Sequence, residues 1–129
     1  MRAFRGGEPD VAIEHLKRAM RLSPFDPFMF TMQGVTAFAH FFAGRYDEAV
    51  VWAERAFWER PNILATLRIA AASYALAGRP EEAQKAVARA LELDPGMRVS
   101  NLKERIGWFG RPEDFAKYAD ALRKAGLPE

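Results

Sequence analysis

Apolar residues recur along this chain at helical spacing, and a Gly–Pro boundary separates one set from the next. Leu67, Ala70, Ala71 and Tyr74 fall at i, i+3, i+4 and i+7, and Ala83, Val87, Ala90 and Leu91 at i, i+4, i+7 and i+8. Each set is a one-sided stripe, so each predicts an amphipathic helix. Gly78 between them suits the left-handed residue that closes a helix. Pro80 suits the first turn of the next helix, where no amide donor is needed. Glu81 and Glu82 then lie near the positive end of that helix. Pro61 and Pro95 stop their helices. The unit is a helical hairpin, and no stretch carries a convincing strand pattern.

The hairpin is repeated. "FAGRYDEAVVWAERAFWERPN" from Phe42 and "LAGRPEEAQKAVARALELDPG" from Leu76 share one layout. Gly44 aligns with Gly78, Ala49 with Ala83, Ala56 with Ala90 and Pro61 with Pro95, each 34 residues on. Upstream, Gly7, Ala12, Ala19 and Pro24 fit the second half of the same unit, at an offset of 37 that places an insertion around Phe25–Pro27. Downstream, "GRPEDF" from Gly110 repeats "GRPEEA" from Gly78 at a shortened spacing of 32. A period in this range marks stacked supersecondary units. The expected segments are a half repeat over 8–24, repeats over 27–61 and 62–95, and a degenerate repeat or cap over 97–126, all in one domain, 1–129.

The alanines have a packing reason. Ala71, Ala83 and Ala90 lie where two antiparallel helices cross most closely, and Ala37, Ala49 and Ala56 recur at the matching places, as do Ala12 and Ala19. This layout resembles the tetratricopeptide repeat. The family signature falls on Ala71, Tyr74, Gly78, Ala83, Ala90 and Pro95, and before that on Ala37, Gly44, Tyr46, Ala49, Ala56 and Pro61. The resemblance implies an all-α right-handed superhelix of antiparallel hairpins, about two and a half repeats plus a C-terminal helical cap. The chain departs from the pattern at His40, which stands where Tyr74 stands. It departs again at Gln33 and Thr36, which replace a large apolar pair, and at Arg105 and Phe115 in the last unit. A narrower resemblance rests on "LSPFDP" (22–27), "AGRYDEA" (43–49), "LAGRPEEA" (76–83), "LDPG" (93–96) and "LRKAGLPE" (122–129). These are similar to the C-terminal repeat segment of bacterial class III adenylate cyclases and related signalling proteins. No part of a cyclase catalytic domain accompanies them.

Composition narrows the partners. Of 129 residues, half are hydrophobic and 28% charged, with a net charge of only +2. That is no polybasic face, so nucleic acid is not expected as a partner. There is no cysteine, which excludes disulfides and thiolate metal sites. No apolar run reaches membrane-spanning length, and "MRAFRGGEPD" lacks the apolar core of a signal peptide. A cytoplasmic location and no membrane partner are expected.

Chemistry is sparse. His15 sits among charged neighbours and reads as a surface residue, and His40 reads as a core-edge residue more readily than a base. The two have no metal-ligand spacing. The serines lack a nucleophile-elbow context. Asp47–Glu48 and Glu81–Glu82 occupy the same place in each repeat, which favours helix-start electrostatics over acid–base catalysis. "AGRP" and "FRGG" are not phosphate loops. No catalytic residue, cofactor or metal is expected, and a small helical enzyme using His40 is the weaker alternative.

The expected function is protein or peptide binding. By the family resemblance, the concave face comes from first helices. Here that face would be Thr31, Gly34, Phe38, Phe41 and Phe42, continuing as Ala65, Arg68, Ala72, Ala75 and Leu76. It forms an apolar groove for a partner, unless neighbouring helices cover the phenylalanines. Trp108 and Phe109 are expected to plug the C-terminal end of the stack. At the other end the half repeat has no first helix, so Ala12, Leu16 and Ala19 lose their usual cover and parts of the phenylalanine face are expected to be bare. The partner-binding candidates are thus Phe38, Phe41, Phe42, Arg68, Ala72, Leu76 and Leu16. A homodimer through the N-terminal edge is the expected assembly, and a structural cap or dimerisation segment of a longer solenoid is the alternative role.

Overall fold

The computed structural model describes residues 8–107 and 110–129. Among them are seven α-helices and no strand: α1 (Glu8–Leu22), α2 (Met29–Phe42), α3 (Tyr46–Glu59), α4 (Leu64–Leu76), α5 (Pro80–Leu93), α6 (Leu102–Ile106) and α7 (Pro112–Lys124). The chain is all-helical, as its periodicity predicts. A single 3-10 turn, Val99–Asn101, leads into α6. Trp108 and Phe109 lie outside the described residues.

The helix boundaries follow the predicted signals. Gly44 and Gly78 take φ of 82° and 79°, the left-handed conformation that costs glycine nothing. The residue after each turns its amide back onto the helix just ended: Arg45 N–H donates to the His40 carbonyl and Arg79 N–H to that of Tyr74, both at 2.9 Å. Orphan carbonyls at the helix end are satisfied this way. Pro80 opens α5 and Pro112 opens α7. The inserted turn before α2 is pinned by Asp26, whose Oδ1 accepts the Phe28 amide at 2.7 Å.

α2 packs on α3 and α4 on α5, and the two hairpins join through α3 against α4. α1 packs on α2, as α3 packs on α4. Small residues make the crossings tight. Ala37, Ala49, Ala53 and Ala56 in the first hairpin, and Ala71, Ala83 and Ala90 in the second, are at most 1% exposed. Gln33 and Thr36 are also buried, and the Thr36 hydroxyl donates to the Met32 carbonyl at 2.7 Å within its own helix.

After α5 the hairpin rhythm stops. α7 packs chiefly on α4 and reaches α2, rather than forming a long hairpin with the five-residue α6. The C-terminal tail is fastened to the turn after α5. The amides of Val99 and Ser100 donate to the carbonyls of Pro128 and Glu129, at 2.8 and 3.1 Å, and Leu127 is buried.

Ala83 tests the tight crossing. Ala83→Leu should destabilise the chain by about 1–3 kcal/mol through overpacking. Glu82→Leu loses only a surface pair with Arg79 and should cost much less. Equal losses in chemical denaturation would mean that Ala83 is not at the crossing.

Candidate interaction surface

The first-helix face of α2 and α4 carries most of the sequence-predicted binding residues, and α7 lies across it. Lys117 sits near the C-terminal end of α2, while Gly126, just past α7, faces Gln84 near the start of α5. Tyr118 is the wedge. Its ring centroid is 5.5 Å from that of Phe38 and 6.1 Å from that of Phe41, the latter pair nearly perpendicular. Such edge-to-face contacts add to the area they bury. Burial pushes the Tyr118 phenol up to about 12, against the opposing pull of the Arg68 guanidinium beside it. It stays neutral under all ordinary conditions.

Lys117 locks the same helix in place. Its ammonium donates to the Phe41 carbonyl at 3.3 Å and lies 5.4 Å and 5.1 Å from the ring centroids of Phe41 and Tyr46. A cation here meets the negative end of α2 and two π faces at once.

Each predicted binding residue can now be placed. Phe41 and Ala72 are fully buried, and Phe38, Phe42 and Leu76 are half-buried against the core. Arg68 is half-buried beside Tyr118. Leu16 is half-buried on α1 and does not share this face. Parts of the phenylalanine face were expected to be bare; Phe41 is buried, whereas Phe38 and Phe42 keep part of their surface. α7 covers the face, because Phe115, Tyr118, Ala119 and Leu122 form a stripe that needs burial as much as the phenylalanines do. That stripe, at i, i+3, i+4 and i+7, was the available signal for Tyr118; Lys117 lies off it, and sequence reasoning missed both.

The cover is partial. At the other end of α2, Phe28, Thr31 and Val35 are exposed. A Cβ added at Gly34 would meet nothing within 4 Å. On α4 the aligned Ala65 is exposed too. Half of the first-helix face holds a helix and half is open.

A second arrangement recurs with the repeat. Arg45 and Arg79 each reach back to the ring five residues before and lie beside the Glu three residues after. Arg45 Nε donates to His40 Nδ1 at 3.0 Å, and Glu48 lies 3.6 Å from that nitrogen. Arg79 stacks 5.0 Å from the Tyr74 centroid and donates to both Glu82 oxygens at 2.9 and 2.6 Å. Arg45 also pairs with Asp10 at 2.7 Å, which ties α1 to the first hairpin. His40 is 3% exposed, and its Nε2 is buried with no partner. Its pKa is lowered from 6.5, first by burial and then by Arg45 and Lys17, with Glu48 and Asp10 opposing. Accepting from Arg45, it is a neutral ring. Among the described residues, no three His, Asp or Glu side chains converge as metal ligands.

No known family model matches the chain, and no curated protein matches it.

Two measurements probe this region. Tyr118→Ala should cost about 3–5 kcal/mol, the range for emptying a buried aromatic site. Lys124→Ala on the exposed side of the same helix should stay within about 0.5 kcal/mol. Equal effects would detach α7 from the face. The second is a pH profile. The unfolded chain takes up a proton on His40 near 6.5 and the folded chain only at lower pH. Stability should therefore fall as pH drops below about 6.5 and level off below the folded value. His40→Gln should flatten that part of the profile, and an unchanged slope would assign it to other groups.

Proposed function

We propose that this chain is a non-catalytic protein-interaction module of tetratricopeptide type. It is part of, or derived from, a bacterial adenylate-cyclase-type signalling protein and works in the cytoplasm. The hairpins, their shared glycine turns and their alanine crossings support the repeat reading. Burial of His40 supports the absence of catalysis, since its ring is sealed from any substrate. Among the described residues no helix is long and apolar enough to cross a membrane.

The observation that carries the interaction reading is the uncovered apolar surface at the N-terminal end. Phe25 is 96% and Phe28 66% exposed, with Leu22, Val11 and Val35 also bare. Phe28, just before α2, lines up at helical spacing with half-buried Met32 and Val35, and Ala12, Leu16 and Ala19 form a half-exposed stripe on α1. Large apolar side chains left in water like these are candidates for contact with another protein. The partner is a protein, most simply a second copy joined through this edge by a two-fold axis. The seat taken by α7 favours the second reading, a segment that caps or dimerises a longer solenoid, because it fills the half-groove a peptide would use.

Light scattering coupled to gel filtration checks the dimer. The chain should run as a concentration-dependent dimer, and Phe28→Glu and Leu16→Glu should shift it toward monomer by at least tenfold in dissociation constant. A strict monomer at high concentration, unchanged by either variant, would leave only the capping role. Purified chain should also leave ATP unconverted; formation of cyclic AMP would overturn the non-catalytic assignment.

A further inference from the structure

A trough runs between α3 and α5, with α4 as its floor. It encloses about 390 Å³, within the range of roughly 300–1,000 Å³ of small-ligand sites. Its depth comes from the repeat itself. Ala53, Ala70 and Ala86 stand on the three helices where larger residues would fill the space, and Leu67 completes an apolar base.

The walls differ in chemistry. On α3, Phe57 and Trp58 form an aromatic side. Trp58 is 79% exposed. Trp52, on the same helix, has its ring covered by the Arg55 guanidinium at 4.6 Å. Among the described residues, Trp58 makes an edge contact with Phe57, at 6.2 Å between centroids. It is a large apolar surface held out over the trough.

The charged residues, Glu54 on α3 and Glu82, Lys85 and Arg89 on α5, polarise the trough along its length. At one end the carboxylates already have partners. Glu54 accepts the Tyr74 hydroxyl at 2.6 Å, and Glu82 is held by both nitrogens that Arg79 offers. At the other end stand Lys85 and Arg89. Lys85 makes no ion pair among the described residues. Arg89 donates from Nε and Nη2 to Asn62 Oδ1, at 2.8 and 2.6 Å. A neutral amide thus fixes this guanidinium beside the trough without cancelling its charge. Asn62 is itself held in the left-handed conformation, at φ 68°, in the α3–α4 connection, a conformation asparagine tolerates better than most residues.

The geometry points to a binding site for an anionic amphiphile in this trough. An alkyl chain or ring lies on the alanine floor against Trp58, and one acidic head is held by Lys85 and Arg89. The polarity of the trough sets the direction. Glu54, whose partner is the neutral Tyr74 hydroxyl, repels an acidic head from its end, and the two uncancelled cations receive it at theirs. The inference is independent of the N-terminal edge, which shares none of these residues.

Decanoate, decyl phosphate, decanol and decyltrimethylammonium, each below its micellar concentration, test it on the full chain by amide and indole NMR titration. Decanoate or decyl phosphate should give saturable shifts at the Trp58 indole and along α3 and α5. The tighter of the two identifies the head group. Decanol and decyltrimethylammonium should bind at least tenfold more weakly. Lys85→Gln with Arg89→Gln should weaken the anion at least tenfold and leave decanol binding unchanged. Trp58→Ala should weaken all four probes. All these side chains are exposed, and a thermal melt verifies folding. Should Trp58→Ala fail to fold, the double cation variant and the head-group series decide alone. Equal affinity for all four probes, shifts centred outside α3 and α5, or no saturable binding would overturn the site.

Discussion

Everything in this fold depends on how closely two antiparallel helices can approach. The alanines at the crossings set that distance, and it is a distance only small side chains allow. Once the axes are close, the glycine turn at each hairpin has little freedom. The left-handed glycines and the returning Arg amides are the local answer to a constraint set by packing. The same small residues leave the trough between α3 and α5, since what is removed from between two helices is also missing from beside the third.

A second consequence is the seat of α7. Close hairpins present a broad first-helix face made of phenylalanines and alanines, which water does not favour. The chain supplies its own cover. Tyr118 fills the gap between Phe38 and Phe41, and Lys117 meets the end of α2. Only the half of that face near Phe28 and Val35 stays bare. One face is thus both core and surface, divided along the length of a single helix.

Much of this was legible in the sequence because it was local and periodic. The hairpins, their turns and the burial of Ala83 and Ala90 follow from spacing alone. His40 could be recognised as standing in for Tyr74, and its burial followed from the place. The position of α7 was not legible. Its stripe says which of its sides is buried, but an amphipathic helix does not name its neighbour, and the shortened spacing after Gly96 removed the periodic guide. The Arg45–His40–Glu48 and Arg79–Tyr74–Glu82 sets were half legible. The residues recur in register, but their contacts depend on side-chain reach that a pattern cannot express. Leu16 could be assigned to the open edge and the phenylalanines to the first-helix face; the degree of cover was the part a pattern could not express, with Phe41 buried and Phe38, Phe42 and Leu16 half-buried.

Lys117 and Phe41 lie 76 positions apart in sequence and touch. In a simple repeat array each unit knows only its neighbours, so the array frays from both ends and lengthens at either. Here the last helix returns past the second hairpin to the first. That closure ties distant parts of the described chain together: α7 bridges α4 and the end of α2, and the tail is bonded to the turn after α5. Loosening α7 would therefore loosen both hairpins at once, so the described helices should melt as one cooperative unit and not repeat by repeat.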